Sequence, residues 1–229
     1  MMAVRAFILL FQLKWEPNHE APTALVFLID DDASVRKGVS RLLRSAGYKC
    51  ETFASANDFL TREPHGGPTC LIVDVRMPGL NGMELQEVLI QGRREEQLVF
   101  ITGHGDISMC SQAMRAGAVD FLPKPFADDQ LLECVARALS RSSEQRQRSV
   151  ERSEARRLLD SLTPREFEVM RMVVAGMLNK QIAGSLDIAE KTVKVHRGRV
   201  MQKLGVTSVA QLVRLGQRAG MGATDETKV

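Results

Sequence analysis

Carboxylates follow two apolar runs of this sequence at the point where each run ends. Asp30, Asp31 and Asp32 come directly after LVFLI, and Asp74 closes the run CLIVD. A buried carboxylate costs several kcal/mol unless a cation pairs with it. If the fold brings these side chains together, their mutual repulsion requires a cation, and hard oxygen ligands of this kind suit Mg²⁺.

A hydroxyl and an ammonium follow the next two apolar runs. Thr102 ends LVFIT, and Lys124 stands just beyond VDFL and before Pro125. A metal-neutralised carboxylate beside a hydroxyl and an ammonium is equipped to accept a phosphoryl group. In this hypothesis Asp74 attacks phosphorus, while Lys124 and Thr102 bind two of the phosphoryl oxygens.

The runs that end in these residues alternate with stretches of helical periodicity. Strands are predicted at 25–29, 49–53, 70–75, 98–102 and 119–122, and helices at 33–47, 55–60, 83–90, 106–117 and 128–139. Five β–α repeats predict an α/β fold with a doubly wound, five-stranded parallel sheet of the flavodoxin-like class. In such a sheet the carboxyl ends of the strands share one edge, where ligands bind.

The sequence resembles the receiver domain of two-component response regulators at these residues. The matching pieces are IDDD at 29–32, VDVRMPG at 73–79, ITGHGD at 101–106 and FLPKPF at 121–126. The resemblance implies that Asp74 is the phosphoacceptor. It also implies that Asp31, Asp74 and the backbone carbonyl of Arg76 bind Mg²⁺ directly, with Asp30 acting mostly through water.

The same resemblance assigns the residues that respond to phosphorylation. Thr102 and Phe121 are the implied switch pair, Lys124 binds the phosphoryl group, and Lys124–Pro125 is expected to be a cis peptide bond. Taken singly, Lys124 would be an ordinary surface lysine and Phe121 a core aromatic. Asp32 matches no ligand position and is interpreted as the N-cap of the first helix.

Charge divides the chain into an acidic and a basic part. Residues 25–139 contain 12 Lys/Arg and 16 Asp/Glu, whereas residues 158–220 contain 10 and 5. Between them, 140–157 holds one large apolar side chain, Val150, and is predicted to be a charged linker, a solvated helix that continues from 128–139. The predicted organisation is an N-terminal extension at 1–23 that is expected to be disordered, a first domain at 24–139, the linker at 140–157, a second domain at 158–222 and a tail at 223–229.

The basic part shows only helical patterns. A capping box of Thr163 and Glu166, with Pro164 at the first helical position, opens a helix that ends near Ala175. Further helices are predicted at 179–186, 190–205 and 208–220. A short helix, a tight turn and a basic helix form the helix-turn-helix pattern, in which the second helix enters the major groove of DNA.

The predicted recognition helix, 190–205, has an apolar stripe and basic faces. Val193, His196, Val200 and Leu204 recur at helical spacing and are expected to face the core. The other faces carry the predicted DNA contacts: Lys191, Thr192, Lys194, Val195, Arg197, Arg199 and Lys203. Lys194, Val195 and Arg197 are the candidates for base edges, and the basic side chains for phosphates.

This part resembles the LuxR-type helix-turn-helix, through LTPREFEVM, NKQIA and KTVKVHRGRVMQKLGV. With the first domain, the chain resembles response regulators of the FixJ/NarL type. The resemblance implies a histidine kinase as partner, a homodimer when phosphorylated, binding to double-stranded promoter DNA, and RNA polymerase as a further partner. It places dimerisation on the last helix, at Val209, Leu212 and Val213, which would otherwise be ordinary core. Gly198 departs from relatives that have a basic residue there.

Other classes of protein fit the sequence less well. A phosphohydrolase with an aspartyl-phosphate intermediate would carry a second carboxylate two residues after Asp74, where this chain has Arg76, so the chain is not expected to be an enzyme. A phosphorylation-independent DNA-binding protein would not need the complete set of polar residues. Four cysteines without a C-x-x-C pair favour the reducing cytoplasm, and the N-terminal apolar stretch is too short to span a membrane.

Overall fold

The computed structural model describes residues 23–103 and 107–221. These residues form two compact units, divided between Arg146 and Gln147. Three predicted segments lie outside the described residues: the extension apart from Thr23, the tail, and residues 104–106 of the ITGHGD match. Within the described ranges, no helix is both long and apolar enough to cross a membrane.

The N-terminal unit contains the predicted five-stranded parallel sheet. Its strands are β1 (Leu25–Ile29), β2 (Lys49–Phe53), β3 (Thr69–Asp74), β4 (Gln97–Thr102) and β5 (Asp120–Pro123), in the order β2-β1-β3-β4-β5. Every residue of β1, β3 and β4 is buried, as expected for strands that helices cover on both faces. The predicted fold class is confirmed.

Five helices connect and follow these strands: α1 (Ala33–Ser45), α2 (Ala56–Leu60), α3 (Gly82–Gln91), α4 (Ile107–Arg115) and α5 (Asp128–Leu159). The side chain of Asp32 accepts from the N–H of Ser34 at 2.7 Å, which confirms its role as the N-cap of α1. Alternate strand residues face opposite sides of the sheet. One side packs against α2, α3 and α4, and the other against α1 and α5.

Helix α5 continues through the predicted linker, but it is not solvated throughout. Ser142 is buried, and its Oγ accepts from the N–H of Thr69 at 2.9 Å in the N-terminal unit. Ala155 and Leu159 are buried in the core of the C-terminal unit. The predicted helix continues through 140–157 and most of its residues are exposed, but Ser142 and Ala155 are buried, because small side chains can be buried without an apolar pattern that reveals it.

The C-terminal unit adds the helices α6 (Pro164–Val174), α7 (Asn179–Leu186), α8 (Glu190–Lys203) and α9 (Val209–Arg218). The capping box of Thr163 and Glu166 is present, as predicted. Gly176 and Gly205 follow α6 and α8 with positive φ of 82° and 64°, the left-handed conformation that ends a helix. The core of this unit lies among α6, α8 and α9 and includes Val169, Met170, Val193, Val200 and Leu212.

Candidate functional site

The strand register brings the predicted polar residues to one edge of the sheet. Ile29 of β1 pairs with Val73 of β3, so Asp30 and Asp74 follow neighbouring positions. Carboxylate oxygens of Asp30, Asp31 and Asp74 all lie within 4.8 Å of one another. The Nζ of Lys124 lies 2.7 Å from Asp30 Oδ2 and 2.7 Å from Asp74 Oδ2. We call Asp30, Asp31, Asp74 and Lys124 the acidic cluster.

The acidic cluster is short of positive charge, since it holds three carboxylates and one ammonium, which pairs with Asp30 and Asp74. Asp30 is fully buried, and this burial raises its pKa although Lys124 and the N–H of Asp32 donate hydrogen bonds to it. Burial by itself would lower the pKa of Lys124, but the hydrogen bonds to Asp30 and Asp74 outweigh it and the pKa is raised. The ammonium therefore stays protonated, and the carboxylates keep an excess of negative charge when ionised.

Backbone contacts hold the cluster in place, and two of the residues involved were not predicted from the sequence. Arg36 donates from Nη1 to the backbone oxygen of Asp30 at 2.6 Å. A Cβ at Gly82 would lie 2.5 Å from the backbone oxygen of Asp74, so only glycine lets α3 begin this close to β3. The Asn81–Gly82 pair, just after the Met77-Pro78-Gly79 turn, was the available signal for that close approach.

The predicted switch residues lie beside the cluster. Thr102 is fully buried at the end of β4, and its backbone oxygen accepts from the N–H of Lys124 at 2.7 Å. Phe121 is half-buried, with its ring centroid 6.1 Å from that of Phe100. The peptide bond between Lys124 and Pro125 is cis, as predicted.

Helix α8 presents most of the predicted DNA contacts outward. Val193, Val200 and Leu204 are buried, as predicted, and His196 is half-buried. The exposed residues among the predicted contacts are Lys191, Thr192, Lys194, Val195, Arg199 and Lys203. Gly198 is also exposed, and a Cβ there would meet nothing within 4 Å. This helix therefore offers cations and one apolar side chain, Val195, on an open face.

Two of the predicted DNA contacts are instead bonded within the unit. Lys203 Nζ lies 2.6 Å from Glu166 Oε2. Glu166 is buried, and hydrogen bonds from Lys203 and from the N–H of Thr163 lower its pKa to about 2. Arg197 is half-buried, and its Nη1 lies 2.6 Å from Asn179 Oδ1. Lys203 is exposed, and its ammonium neutralises a buried carboxylate, so its role as a DNA contact stays a prediction.

The predicted dimerisation residues on α9 differ in their surroundings. Leu212 is 1% exposed and belongs to the core with Met170, so the prediction that it pairs two copies is wrong. Val209 is 40% exposed, and Val213 is half-buried. The apolar face of α9 is therefore mainly core, the reading that the residues alone suggested.

Comparisons with known proteins agree with this arrangement. Residues 26–136 match the family described as "Response regulator receiver domain", and residues 160–215 match "Bacterial regulatory proteins, luxR family". Nodulation protein W of Bradyrhizobium diazoefficiens is 42% identical over 223 residues, which are 96% of this chain and 98% of that protein. The chain belongs to the two-component response regulators.

Further relatives match this response regulator over most of its length. The transcriptional regulatory protein FixJ of Bradyrhizobium diazoefficiens is 39% identical over 196 residues, 86% of this chain and 96% of that protein. The solved structure of response regulator StyR superimposes with a TM-score of 0.74 and 49% sequence identity, and the match covers 85% of this chain and 98% of the StyR chain. The response regulator is thus a transcriptional regulator with a receiver domain and a LuxR-type DNA-binding domain.

Proposed function

We propose that Asp74 accepts a phosphoryl group from a histidine kinase, and that the phosphorylated chain dimerises and binds promoter DNA to activate transcription. The observation that carries this proposal is the acidic cluster, in which three carboxylates lie together and one ammonium pairs with two of them. The role is regulatory and not enzymatic, because Arg76 stands where a phosphohydrolase would carry its general acid. The site of action is the cytoplasm, where the target DNA lies.

The position of Asp74 suits a nucleophile. Its side chain is 12% exposed at the edge of the sheet, where a phosphodonor can reach it. One oxygen, Oδ1, accepts from the N–H of Arg76 at 3.1 Å, which orients the carboxylate, while Oδ2 faces Lys124. Attack by an Asp74 oxygen forms the O–P bond as the bond from phosphorus to the donor's histidine nitrogen breaks. Lys124 then pairs with a phosphoryl oxygen.

The residues of the cluster fit a magnesium ion, since Mg²⁺ prefers carboxylate oxygens and retains waters. The proposed ligands are Asp31, Asp74 and the backbone carbonyl of Arg76, with Asp30 acting through water. When bound, the ion neutralises negative charge on the carboxylates and the phosphoryl group. Lys124 neutralises part of the negative charge of the carboxylates through its hydrogen bonds to Asp30 and Asp74.

Phosphorylation is proposed to act through Thr102 and Phe121. A phosphoryl group on Asp74 offers acceptors to the Thr102 hydroxyl, and a shift of Thr102 changes the packing beside Phe121 on the neighbouring strand β5. The altered surface around α4 and β5 then favours a dimer. To move such a switch from 1:99 to 99:1, phosphorylation must stabilise the active state by about 5.5 kcal/mol.

The DNA-binding half of the proposal rests on the open face of α8. Lys191, Thr192, Lys194, Val195 and Arg199 are the proposed contacts, with Lys194 and Val195 nearest to base edges. Val209 and Val213 remain the proposed dimer contacts on α9. A DNA-bound dimer would recruit RNA polymerase to the promoter.

Labelling with a radioactive phosphodonor tests the receiver assignment. Wild-type protein incubated with acetyl [³²P]phosphate and Mg²⁺ is expected to incorporate label, and Asp74→Asn to incorporate none, because an amide is not a nucleophile of this kind. Asp129→Asn changes an exposed carboxylate of α5 and should label like wild type. Full labelling of Asp74→Asn would refute the assignment, and so would labelling that is insensitive to a chelator.

Salt-dependent DNA binding tests the other half. Lys194→Ala should weaken binding and reduce the slope of log K against log salt by about 0.9, the value for one phosphate contact. Lys37→Ala removes an equally exposed lysine from α1 and should leave the slope unchanged. Identical slopes for wild type and Lys194→Ala would remove Lys194 from the phosphate contacts.

A further inference from the structure

Arg197 lies on the inward side of α8, although its charge predicted an outward position. It follows the buried Val193 by four residues and precedes the buried Val200 by three, so the three share one face of the helix. Together with Val169, Met170 and Val173 of α6, its side chain lines a small apolar gap in the core. The stem of Arg197 is therefore part of the packing between α6 and α8.

The guanidinium of Arg197 reaches a third helix. Its Nη1 donates to Asn179 Oδ1 at 2.6 Å, and Asn179 is the first residue of α7. The turn between Leu186 and Glu190 joins the end of α7 to the start of α8. The Arg197–Asn179 bond thus ties the opposite end of α7 to the middle of α8. A charge-assisted bond that is half-buried is stronger and more directional than an exposed one.

We infer that Arg197 and Asn179 are a positioning pair, which fixes the recognition helix α8 against α7, and that Arg197 does not read bases. This inference rests on the proposed function of α8 in DNA binding. Lys194 and Val195 lie within one turn of Arg197, on the outward face. Loss of the bond leaves their chemistry intact but lets α8 shift, so DNA affinity falls without the loss of any phosphate contact.

A double-mutant cycle on the full-length chain, treated with acetyl phosphate and Mg²⁺, tests the inference. The probe is a duplex recovered from random-sequence DNA by the wild-type chain, and the variants are Asn179→Ala, Arg197→Met, which keeps an unbranched apolar stem, and both together. Each single change should weaken binding about tenfold, the loss expected for one hydrogen bond to a charged group. The double variant should bind no more weakly than the weaker single variant.

The salt dependence separates a positioning pair from a phosphate contact. Both single variants should keep the wild-type slope of log K against log salt, whereas Lys194→Ala loses about 0.9 of it. Thr163→Ala, which removes the side-chain N-cap of α6, is the control for stability alone. It should lower the melting temperature yet bind the duplex like wild type at a temperature where every variant is folded.

Three results would overturn the inference. The first is additive effects of Asn179→Ala and Arg197→Met. The second is a slope reduced by about 0.9 in Arg197→Met, which would make Arg197 a phosphate contact. The third is a loss of selectivity at a single base pair in Arg197→Met while Asn179→Ala binds normally. Failure of the wild-type chain to select any duplex would instead count against the proposed function, so the two failures are distinguishable.

Discussion

Each unit of this protein holds a lysine ammonium against a buried carboxylate, at nearly the same distance. In the C-terminal unit, Lys203 lies 2.6 Å from Glu166, and the pair is balanced, one cation to one anion. In the N-terminal unit, Lys124 lies 2.7 Å from both Asp30 and Asp74, with Asp31 as a third carboxylate. The geometry of the individual contacts is alike, and the difference lies in the charge balance.

This difference separates a balanced ion pair from a cluster of carboxylates that a cation would stabilise. The Glu166 pair is complete, because its carboxylate also accepts from the N–H of Thr163. The acidic cluster retains excess negative charge, and a bound cation or a changed acceptor alters its energy. A distance alone would therefore class both contacts as salt bridges, whereas the count of charges around each ammonium distinguishes the proposed phosphorylation site from the structural pair.

Lys124→Met should produce the largest loss of stability. Without the ammonium, the carboxylate of the fully buried Asp30 loses its ion pair, and breaking a buried pair of this kind costs about 3 kcal/mol. Hydrogen exchange in increasing urea, read on peptides from β1 and β3 in the absence of Mg²⁺, measures the loss in the N-terminal unit. Lys37→Met, at an exposed position of α1, is the control. Equal stability of the two variants would show that Lys124 does not neutralise the cluster.

Replacement of a carboxylate by an amide should change stability in opposite directions at the two sites. At an effective dielectric constant of about 20, two repulsions within 4.8 Å are each worth at least about 3.5 kcal/mol, and one attraction at 2.7 Å is worth about 6. Asp74→Asn should therefore stabilise the metal-free N-terminal unit by about 1 kcal/mol. Glu166→Gln should destabilise the C-terminal unit, because it removes half of a balanced pair.

Hydrogen exchange in increasing urea, with a chelator present, measures the stability of each unit separately and so gives both changes in one experiment. Peptides from β3 report on Asp74→Asn, and peptides from α6 report on Glu166→Gln. A loss of stability in both variants would mean that the acidic cluster is balanced after all, and the distinction drawn from the charge count would fail.

The sequence was sufficient to predict the sheet and the members of the acidic cluster. Strands β1, β3 and β4 are continuous apolar runs, so their ends are sharply marked by Asp30, Asp74 and Thr102. Because parallel strands end at one edge, the order of elements alone brings these residues together. This rule was enough to predict which side chains meet at that edge, without knowledge of the strand register.

The sequence was less informative about the faces of helices in the C-terminal unit. Lysine and arginine have long apolar stems, so a charged head does not reveal whether the stem is buried, as it is for Arg197. Lys203 meets Glu166 across a separation in sequence that periodicity cannot detect. An apolar stripe such as that of Leu212 is the same pattern whether it faces a core or a second copy of the chain. These outcomes depend on tertiary neighbours.

Acid should have the smallest and most specific effect on stability, and it should act at the balanced pair of Lys203 and Glu166. The pKa of Glu166 is about 2 in the folded unit, below its ordinary value of 4.5, chiefly because Lys203 donates a hydrogen bond to it. A lowered pKa stabilises the fold at pH values above the unfolded pKa, and this contribution is lost as the pH falls from about 4.5 to 2. The melting temperature of wild type should exceed that of Glu166→Gln by several degrees at pH 6, and the difference should shrink across this window.

Circular dichroism melts of the full chain at a series of pH values measure that difference. Glu190→Gln, an exposed carboxylate of α8, should follow wild type at every pH. A difference between wild type and Glu166→Gln that stays constant down to pH 2 would mean that the Glu166 pair contributes packing but no charge stabilisation. The comparison with the acidic cluster would then rest on the cluster alone, because a pair that is insensitive to protonation cannot serve as the balanced reference.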